Sequence, residues 1–145
     1  MFRNILIICV GNICRSPAAE VLFRHSLQEG GPVFSSAGIG ALVGKPMDKT
    51  AQEVLRDHGI DPGPHRARQV ESSMLHEADL ILAMERSHIQ HLRHMAPEVH
   101  GKTFLVGKWH SELEIPDPFR QSRPAFEHVH QLLTRSVESW LPYLK

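Results

Sequence analysis

The fold of this chain is decided near its start, by the stretch Ile5-Leu6-Ile7-Ile8-Cys9-Val10-Gly11-Asn12-Ile13-Cys14-Arg15-Ser16-Pro17. The four aliphatic residues predict a short strand that is buried on both faces of a sheet. Ser16 and Pro17 predict a helix start, with Ser16 as the N-cap and the proline in the first turn. A strand, a loop and a helix therefore follow one another, and Cys9 lies where the strand ends.

The loop between Cys9 and Arg15 is suited to hold a phosphate group. Its backbone N–H groups and those of the following helix N-terminus bind anions and favour a cysteine thiolate. Five intervening residues let the chain circle a phosphate before Arg15 returns with a planar, bidentate donor. Gly11 permits close backbone approach or a positive φ, and Asn12 tolerates left-handed geometry. Ser16 can donate its hydroxyl to the sulfur, so the loop predicts a thiolate nucleophile behind a bound phosphate.

The prediction depends on several features that occur together. A buried cysteine with an arginine nearby is common, and the pair alone indicates little. The preceding strand, the glycine and asparagine inside the loop, the serine after the arginine and the helix start together favour the functional interpretation.

Three motifs resemble those of the low-molecular-weight protein tyrosine phosphatase family: the loop from Cys9 to Ser16 followed by Pro17, then Ser36-Ala37-Gly38, and finally Asp117-Pro118. The resemblance covers the whole 145 residues. Two further tracts are closest to the bacterial group that acts beside tyrosine autokinases in exopolysaccharide export, namely Gly40-Ala41-Leu42-Val43-Gly44 and Ile115-Pro116-Asp117-Pro118-Phe119-Arg120.

The resemblance implies a single phosphotyrosine phosphatase domain over residues 1–145. It implies Cys9 as nucleophile, Arg15 as phosphate binder and Asp117 as general acid, acting on a phosphotyrosine protein such as a bacterial tyrosine autokinase. We expect the substrate to be bound by the remaining loop residues and by two apolar walls, which are Val10, Gly11, Asn12, Ile13, Cys14, Ser16, Leu42 and Phe119. Phe119 stands where many members of the family have tyrosine. Leu42 lies near the position at which eukaryotic members often have an aromatic wall.

The segment 109–123 is the second place where the sequence predicts chemistry. It joins the last predicted strand to the last predicted helix, so it lies at the same sheet edge as Cys9. Asp117-Pro118 in this segment is a candidate acid, but Asp61-Pro62 is a second such pair and either could be a plain turn. Position favours Asp117, because Asp61 follows a helix that should end on the opposite side of the sheet.

Alternating strand and helix patterns predict an α/β three-layer sandwich with a central four-stranded parallel sheet and helices on both faces. The strands are predicted near residues 5–8, 33–36, 80–83 and 103–106. Helices are predicted from Pro17, from an Asp48 cap to about Gly59, over residues 87–95, and from about Pro124, the last with an apolar stripe suited to core packing.

Composition narrows the class of protein. Of 145 residues 41% are hydrophobic, which suits one domain with a sizeable core. Sixteen basic and sixteen acidic residues balance, so charge gives no case for nucleic-acid or membrane binding. No apolar run is long enough to span a membrane, and no signal peptide is evident. The only cysteines, Cys9 and Cys14, fit a reducing compartment, so we expect a cytoplasmic protein.

Eleven histidines raise the question of a metal site. His88, His91 and His94 have helical spacing, but the chain has no metalloprotease or zinc-finger spacing. Because Ile89 and Leu92 should point inward, we expect these three histidines on the solvated face. We therefore expect no metal and no cofactor, and we interpret His65 as structural support for the loop.

Two other functions are compatible with the same loop. An arsenate reductase-like thiol oxidoreductase would need a distal cysteine relay, and no cysteine follows Cys14. A non-catalytic phosphoprotein-binding module could use the same cradle, although the combination of Cys9, Arg15 and Asp117 argues against it. Because Cys9 and Cys14 share one tight loop, we also expect oxidised Cys9 to be captured by Cys14 as a disulfide.

Overall fold

The computed structural model describes residues 1–27 and 30–144. In this part of the chain, strands and helices alternate along most of the sequence. Their order is β1 (Asn4–Cys9), α1 (Arg15–Leu27), β2 (Val33–Gly38), α2 (Lys49–Asp57), α3 (Ser72–Glu77), β3 (Leu80–Ala83), α4 (Arg86–Met95), a 3-10 helix (Pro97–Lys102), β4 (Thr103–Leu105) and α5 (Arg123–Leu144).

The four strands form one parallel sheet in the order β2-β1-β3-β4. Side chains of β1 alternate between its faces, because successive residues of a strand point in opposite directions. Ile5 and Ile7 pack with α1, α2 and α5, while Leu6 and Ile8 pack with α3 and α4. This arrangement confirms the predicted three-layer sandwich.

All four strands end at the same edge of the sheet because they are parallel. Cys9 is the last residue of β1 and Gly38 the last residue of β2. Met84 and Glu85 follow β3 directly, and the segment after β4 leads to α5. This carboxyl edge is where open α/β sheets bind their ligands.

The helix after the loop begins earlier than predicted. The Ala18 N–H donates to the Cys14 carbonyl at 3.2 Å, so Cys14 provides the first helical carbonyl and α1 begins at Arg15. Ser16 is therefore not the N-cap, and its hydroxyl hydrogen-bonds instead with Cys9 Sγ and the Asn12 side-chain amide. The sequence reading also missed α3 and the 3-10 helix, which have six residues each and are too short for a periodic pattern.

His88 is buried, which corrects the expectation that three histidines of α4 lie on the solvated face. It is 4% exposed, whereas His91 and His94 are exposed as expected. His88 lies one helical turn before the buried Leu92, so both residues share the inner face of α4. The prediction was wrong because it assumed that Ile89 faces the core, whereas Ile89 is only half-buried.

The final helix packs as predicted. Its apolar stripe packs against α1 and α2. Leu141 of the stripe is half-buried, and the buried members are Phe126, Val129, Leu133, Val137, Trp140 and Leu144. Within residues 1–27 and 30–144, no helix is long and apolar enough to cross a membrane.

Candidate active site

The loop after β1 is fixed by its carbonyl groups, each of which accepts a hydrogen bond from outside the loop or from α1. The first two carbonyls accept hydrogen bonds from the chain after β2. The next three accept from His65, from the N-cap residue of α2 and from the first turn of α1. The pairs are Gly40 N–H to Val10 O (3.0 Å), Leu42 N–H to Gly11 O (3.0 Å), His65 Nε2 with Asn12 O (2.6 Å), Asp48 N–H to Ile13 O (2.8 Å) and Ala18 N–H to Cys14 O (3.2 Å).

The backbone N–H groups of this loop remain available to bind a ligand. None of the hydrogen bonds among the described residues uses the N–H of Gly11, Asn12, Ile13 or Cys14 as donor. Asn12 lies in the left-handed region with φ of 58°, which turns the chain, whereas Gly11 has no positive φ. A concave run of unused N–H groups ahead of a helix N-terminus is a binding site for an anion such as phosphate.

A buried hydrogen-bond chain leads from the loop to the Cys9 sulfur. The Asn12 side-chain amide donates to Ser16 Oγ at 2.7 Å and to Ser36 Oγ at 3.0 Å. Because Ser16 accepts from Asn12, its own hydrogen is left for Cys9 Sγ, which lies 2.9 Å away. Ser36 in turn donates to Glu20 Oε1 at 2.6 Å. The chain favours a negatively charged sulfur, because a thiolate can only accept.

The glycine at the end of β2 lets the loop lie close to the sheet. A Cβ atom on Gly38 would lie 2.3 Å from the Val10 carbonyl oxygen and 3.0 Å from the Asn12 Cβ. Any larger residue would therefore push the loop backbone away. The motif Ser36-Ala37-Gly38 thus contributes a hydrogen-bond acceptor and a close backbone approach to the same loop.

Arg15 is almost completely buried at 2% exposure, and its position is set by two acceptors. Its Nη1 donates to Glu85 Oε2 at 2.5 Å and to the Ile115 carbonyl at 2.8 Å. Both hydrogens of Nη1 are thereby used, which leaves Nε–H and the Nη2 hydrogens for a ligand. Such a fork matches two oxygens of a phosphate.

Asp117 lies beside Arg15 in the loop that leads to α5. Its Oδ2 is 3.8 Å from Arg15 Nη2, while its Oδ1 accepts the Phe119 N–H at 3.0 Å. The carboxyl group is 47% exposed. Asp61, the other candidate acid, is an exposed turn residue whose Oδ1 accepts the Gly63 N–H, and it does not line the same pocket.

A pocket of about 210 Å³ opens at this edge. Nine of the predicted site residues line it together with Gly40, and they are Cys9, Val10, Gly11, Ile13, Cys14, Arg15, Leu42, Asp117 and Phe119. Leu42 and Phe119 are large apolar residues that remain 43% and 38% exposed. Asn12 and Ser16 do not line the pocket, because their side chains are fully buried behind the loop.

Comparison with known proteins assigns this chain to a family. The family model for low molecular weight phosphotyrosine protein phosphatases matches residues 4–145. The chain belongs to this family. Wzb of Escherichia coli K12, a low molecular weight protein-tyrosine-phosphatase, is 51% identical over 140 residues, which cover 97% of this chain and 94% of Wzb.

Solved structures of family members have the same fold. The crystal structure of the tyrosine phosphatase AmsI from Erwinia amylovora superposes with a TM-score of 0.95 at 41% identity, covering 100% of this chain and 95% of AmsI. Vibrio vulnificus Wzb in complex with benzylphosphonate gives a TM-score of 0.94 at 42% identity, covering 99% of this chain and 100% of that protein.

The sequence analysis missed several residues that hold this phosphatase-family site. Glu85 pairs with Arg15, and Ser36 and Glu20 extend the hydrogen-bond chain behind Cys9. A signal for Glu85 was present, because an acidic residue that directly follows a buried parallel strand lies at the ligand edge of the sheet. Ser36 lies in the motif Ser36-Ala37-Gly38 that carries the family resemblance, although no role in the site was predicted for it. Glu20 gave no signal, since its contact with Ser36 depends on how β2 and α1 meet.

Cys14 differs from Cys9 in its surroundings. Both cysteines are free and buried. Burial is the main cause that raises the pKa of the Cys14 thiol far above its ordinary value, and the nearby carboxylates of Asp48 and Asp117 raise it further. Cys14 is therefore a neutral thiol at physiological pH.

No group of three or more metal-ligating side chains occurs in the part of the chain that the structure describes. His65, by contrast, supports the loop through its contact with the Asn12 carbonyl. The next residues of this segment act on the same loop, since the Arg68 N–H donates to Asn12 Oδ1 at 3.0 Å.

Proposed function

We propose that Cys9, Arg15 and Asp117 carry out the protein-tyrosine-phosphatase reaction of this family through a phosphocysteine intermediate. The observation that carries the proposal is that all five carbonyls of the loop 10–14 are hydrogen-bonded, while the N–H groups of residues 11–14 donate no hydrogen bond among the described residues and are left for an anion. A nucleophile, an anion cradle and a proton donor meet in one pocket.

In the first step, the Cys9 thiolate attacks phosphorus in line with the phenolic oxygen. An S–P bond forms as the P–O bond to the tyrosine breaks. The loop N–H groups and Arg15 bind the three equatorial oxygens, where negative charge is spread in the transition state. Asp117 gives its proton to the departing phenolic oxygen. Since Oδ1 is bonded to the Phe119 N–H, Oδ2 is the oxygen that carries this proton.

In the second step, water attacks phosphorus and breaks the S–P bond. Asp117, now a carboxylate, takes a proton from that water. The Ser16 hydroxyl, which accepts from Asn12 and donates to sulfur, stabilises the thiolate as it leaves. Arg15 and the N–H groups provide the positive charge for both steps, so the mechanism requires no metal and no cofactor.

The substrate class follows from the walls of the pocket. Leu42 and Phe119 present apolar surface on which a phenyl ring can lie, and Vibrio vulnificus Wzb binds benzylphosphonate, a phosphonate on an aromatic group. We therefore expect phosphotyrosine peptides to exceed phosphoserine peptides in kcat/KM. Equal values for the two would reject the tyrosine assignment and leave the phosphatase chemistry intact.

We place the protein beside a tyrosine autokinase of exopolysaccharide production, in the cytoplasm. This is supported by the 51% identity to Wzb and by the resemblance of the tracts at residues 40–44 and 115–120 to the exopolysaccharide group. The two cysteines of the loop fit a reducing compartment. We also propose that residues 1–145 act as one domain.

The deciding experiment measures phosphate release from a phosphotyrosine peptide in the presence of EDTA. The wild type should turn over, and Cys9→Ser should lose at least about 10⁴-fold in kcat, because a hydroxyl replaces a thiolate. Arg15→Lys should also fail, since a point charge cannot reproduce the planar fork. Substantial turnover by Cys9→Ser would reject the mechanism. Peptide binding without release by the wild type would favour a binding module, and thiol-dependent reduction of arsenate would favour an oxidoreductase.

Cys14 is proposed to protect the nucleophile from irreversible oxidation. Peroxide converts Cys9 to a sulfenic acid, and the Cys14 thiol then forms an S–S bond while water leaves. Peroxide should thus inactivate the enzyme reversibly. Because the raised pKa keeps Cys14 protonated, capture should be faster at higher pH. Cys14→Ser should recover less activity with thiol reductants, and equal recovery would show that Cys14 only packs in the loop.

A further inference from the structure

His88 is a buried titratable residue that the proposed mechanism does not use. It lies on the inner face of α4 at 4% exposure, whereas His91 and His94 of the same helix are exposed. A buried imidazole needs partners for its nitrogens, because an unpaired polar group in the interior is costly. His88 has one hydrogen bond and one longer polar contact, and both are to Glu85.

The hydrogen bond to the backbone fixes the tautomer of this ring. The Glu85 N–H donates to His88 Nδ1 at 3.2 Å, so Nδ1 carries no hydrogen. The proton of the neutral ring is then on Nε2, which lies 3.5 Å from Glu85 Oε2. His88 therefore contacts the backbone of Glu85 with one nitrogen and faces its carboxylate with the other.

Glu85 connects His88 to the phosphate-binding guanidinium. The same Oε2 accepts from Arg15 Nη1 at 2.5 Å. That bond and the one to the Ile115 carbonyl decide which edge of Arg15 is left for a phosphate. A rotation of the Glu85 carboxylate would rotate the guanidinium with it, and a displacement of about 1 Å can cost on the order of 10²-fold in rate.

Burial is the main reason that the His88 ring favours its neutral form. Burial lowers the pKa of His88 most, and Arg15 lowers it further, while the carboxylates of Glu85, Glu114 and Asp117 act in the opposite direction. A second proton would have to be placed on Nδ1, where it would break the bond to the Glu85 N–H. The hydrogen bond to Nδ1 and the burial of the ring thus favour the same neutral form.

We propose that neutral His88 is a positioning residue, which holds Glu85 so that Arg15 presents a fixed edge to the phosphate. This inference rests on the proposed function, because it assigns a part in the same site. His88 touches neither substrate nor the reacting atoms. Its effect passes through Glu85 and must vanish when Arg15 no longer supplies its fork.

Two substitutions separate positioning from packing. His88→Leu fills space but removes both polar contacts, and we expect kcat/KM for an aryl phosphate to fall about tenfold to a hundredfold. His88→Gln offers a carbonyl acceptor to the Glu85 N–H, the arrangement of a capping box, and an amide donor to its carboxylate. It should restore most of the activity. Leu92→Val on the same inner face is a control that loosens α4 without removing a contact to Glu85.

A double-substitution cycle gives the decisive readout. Affinity for inorganic phosphate, measured by calorimetry, should fall in His88→Leu when Arg15 is present and should not fall further when Arg15→Lys is already made. A loss of equal size in both backgrounds, or equal affinities for His88→Leu and His88→Gln, would overturn the proposal. Phosphate binding needs no turnover, so failure here is distinct from failure of the phosphatase assignment.

Nuclear magnetic resonance on the unmodified protein tests the same idea without a substitution. Long-range proton–nitrogen correlations should show the His88 ring neutral at neutral pH, with hydrogen on Nε2 and none on Nδ1. A ring protonated on Nδ1 would contradict the proposal even if His88→Leu does not fold.

Discussion

The two loops that form the pocket are held in different ways. In the loop 10–14, all five carbonyls are hydrogen-bonded, to partners that come from the chain after β2, the segment before α3, the start of α2 and α1 itself. In the turn 117–121, the bonds are local, from Phe119 N–H and from the main chain and side chain of Gln121. Arg15 is 2% exposed, and the Asp117 carboxyl is 47% exposed.

This difference corresponds to what each loop must do in the proposed mechanism. Stabilising a phosphorane-like charge distribution requires donors that are already aimed before the reaction, and a rigid frame provides that. A proton donor needs only to reach the leaving oxygen with its correct protonation state. We therefore expect damage to the loop 10–14 to affect every substrate, and damage to the turn 117–121 to depend on the leaving group.

The largest graded effect should come from Asp117→Asn on phosphotyrosine. General acid catalysis typically contributes about 10² to 10⁴-fold, most where the leaving oxygen is basic, as in the tyrosine phenol with a pKa near 10. The substitution should slow phosphotyrosine cleavage by this amount and slow an activated nitrophenyl phosphate much less. Pre-steady-state measurement of the first step is needed, because hydrolysis of phosphocysteine can limit turnover.

The matched control for this prediction is Asp61→Asn, which changes the other Asp-Pro pair. Across a series of aryl phosphates, Asp117→Asn should make the rate of the first step more dependent on the leaving-group pKa. Asp61→Asn should leave this dependence unchanged. The opposite pattern would mean that the acid has been assigned to the wrong pair.

Two glycines outside the loops allow a similar clash to be introduced, one against the loop 10–14 and one against the segment that leads to the turn 117–121. A Cβ at Gly38 would lie 2.3 Å from the Val10 oxygen, and a Cβ at Gly107 would lie 2.2 Å from the Leu113 oxygen, four residues before Asp117. Gly38→Ala should displace the phosphate cradle and lower kcat/KM about 10²-fold for every aryl phosphate. Gly107→Ala should lower it only about tenfold, and mainly for basic leaving groups.

The comparison of these variants requires that both still fold, which unfolding in urea will show. Phosphate affinity should fall in Gly38→Ala and stay close to wild type in Gly107→Ala. If Gly107→Ala weakened phosphate binding as much as Gly38→Ala, the two loops would form one mechanical unit, and the contrast between them would be wrong.

The sequence predicted the rigid half of the site better than the residues that hold it. Cys9, Gly11 and Arg15 lie in one short stretch of the chain, so the sequence pattern of this stretch indicates an anion cradle. Glu85 follows β3 and His88 lies in α4. Glu85 reaches Arg15 only because the sheet places β3 beside β1, and His88 contacts Glu85. Contacts of this kind depend on sheet order, which local patterns do not reveal. His88 was misplaced for a different reason, because helical spacing gives a periodicity but does not say which residues face the core.

The smallest expected effect is a loss of stability in mild acid, which arises from two buried histidines close to the two loops. His88 contacts Glu85, which binds Arg15. His130 lines a small cavity together with Cys14 and with Pro118 of the turn 117–121. Burial lowers the pKa of both rings, and the neighbouring His58 lowers that of His130 further, while Glu127 opposes this shift. Folding therefore favours the neutral form of each ring.

The sign of the effect follows from proton counts. In the unfolded chain a histidine has its ordinary pKa near 6.5, so between that value and the lower native pKa the unfolded state binds more protons. Stability is then fully present above about pH 6.5 and falls as the pH drops below it. Urea unfolding at about pH 7.5 and pH 5.5 should show a lower midpoint at the acid value. His130→Phe keeps an aromatic ring against His58 and should remove part of this fall with no change in phosphate affinity, whereas His88→Gln should remove the other part. A fall of unchanged size in both variants would show that neither buried imidazole is its source.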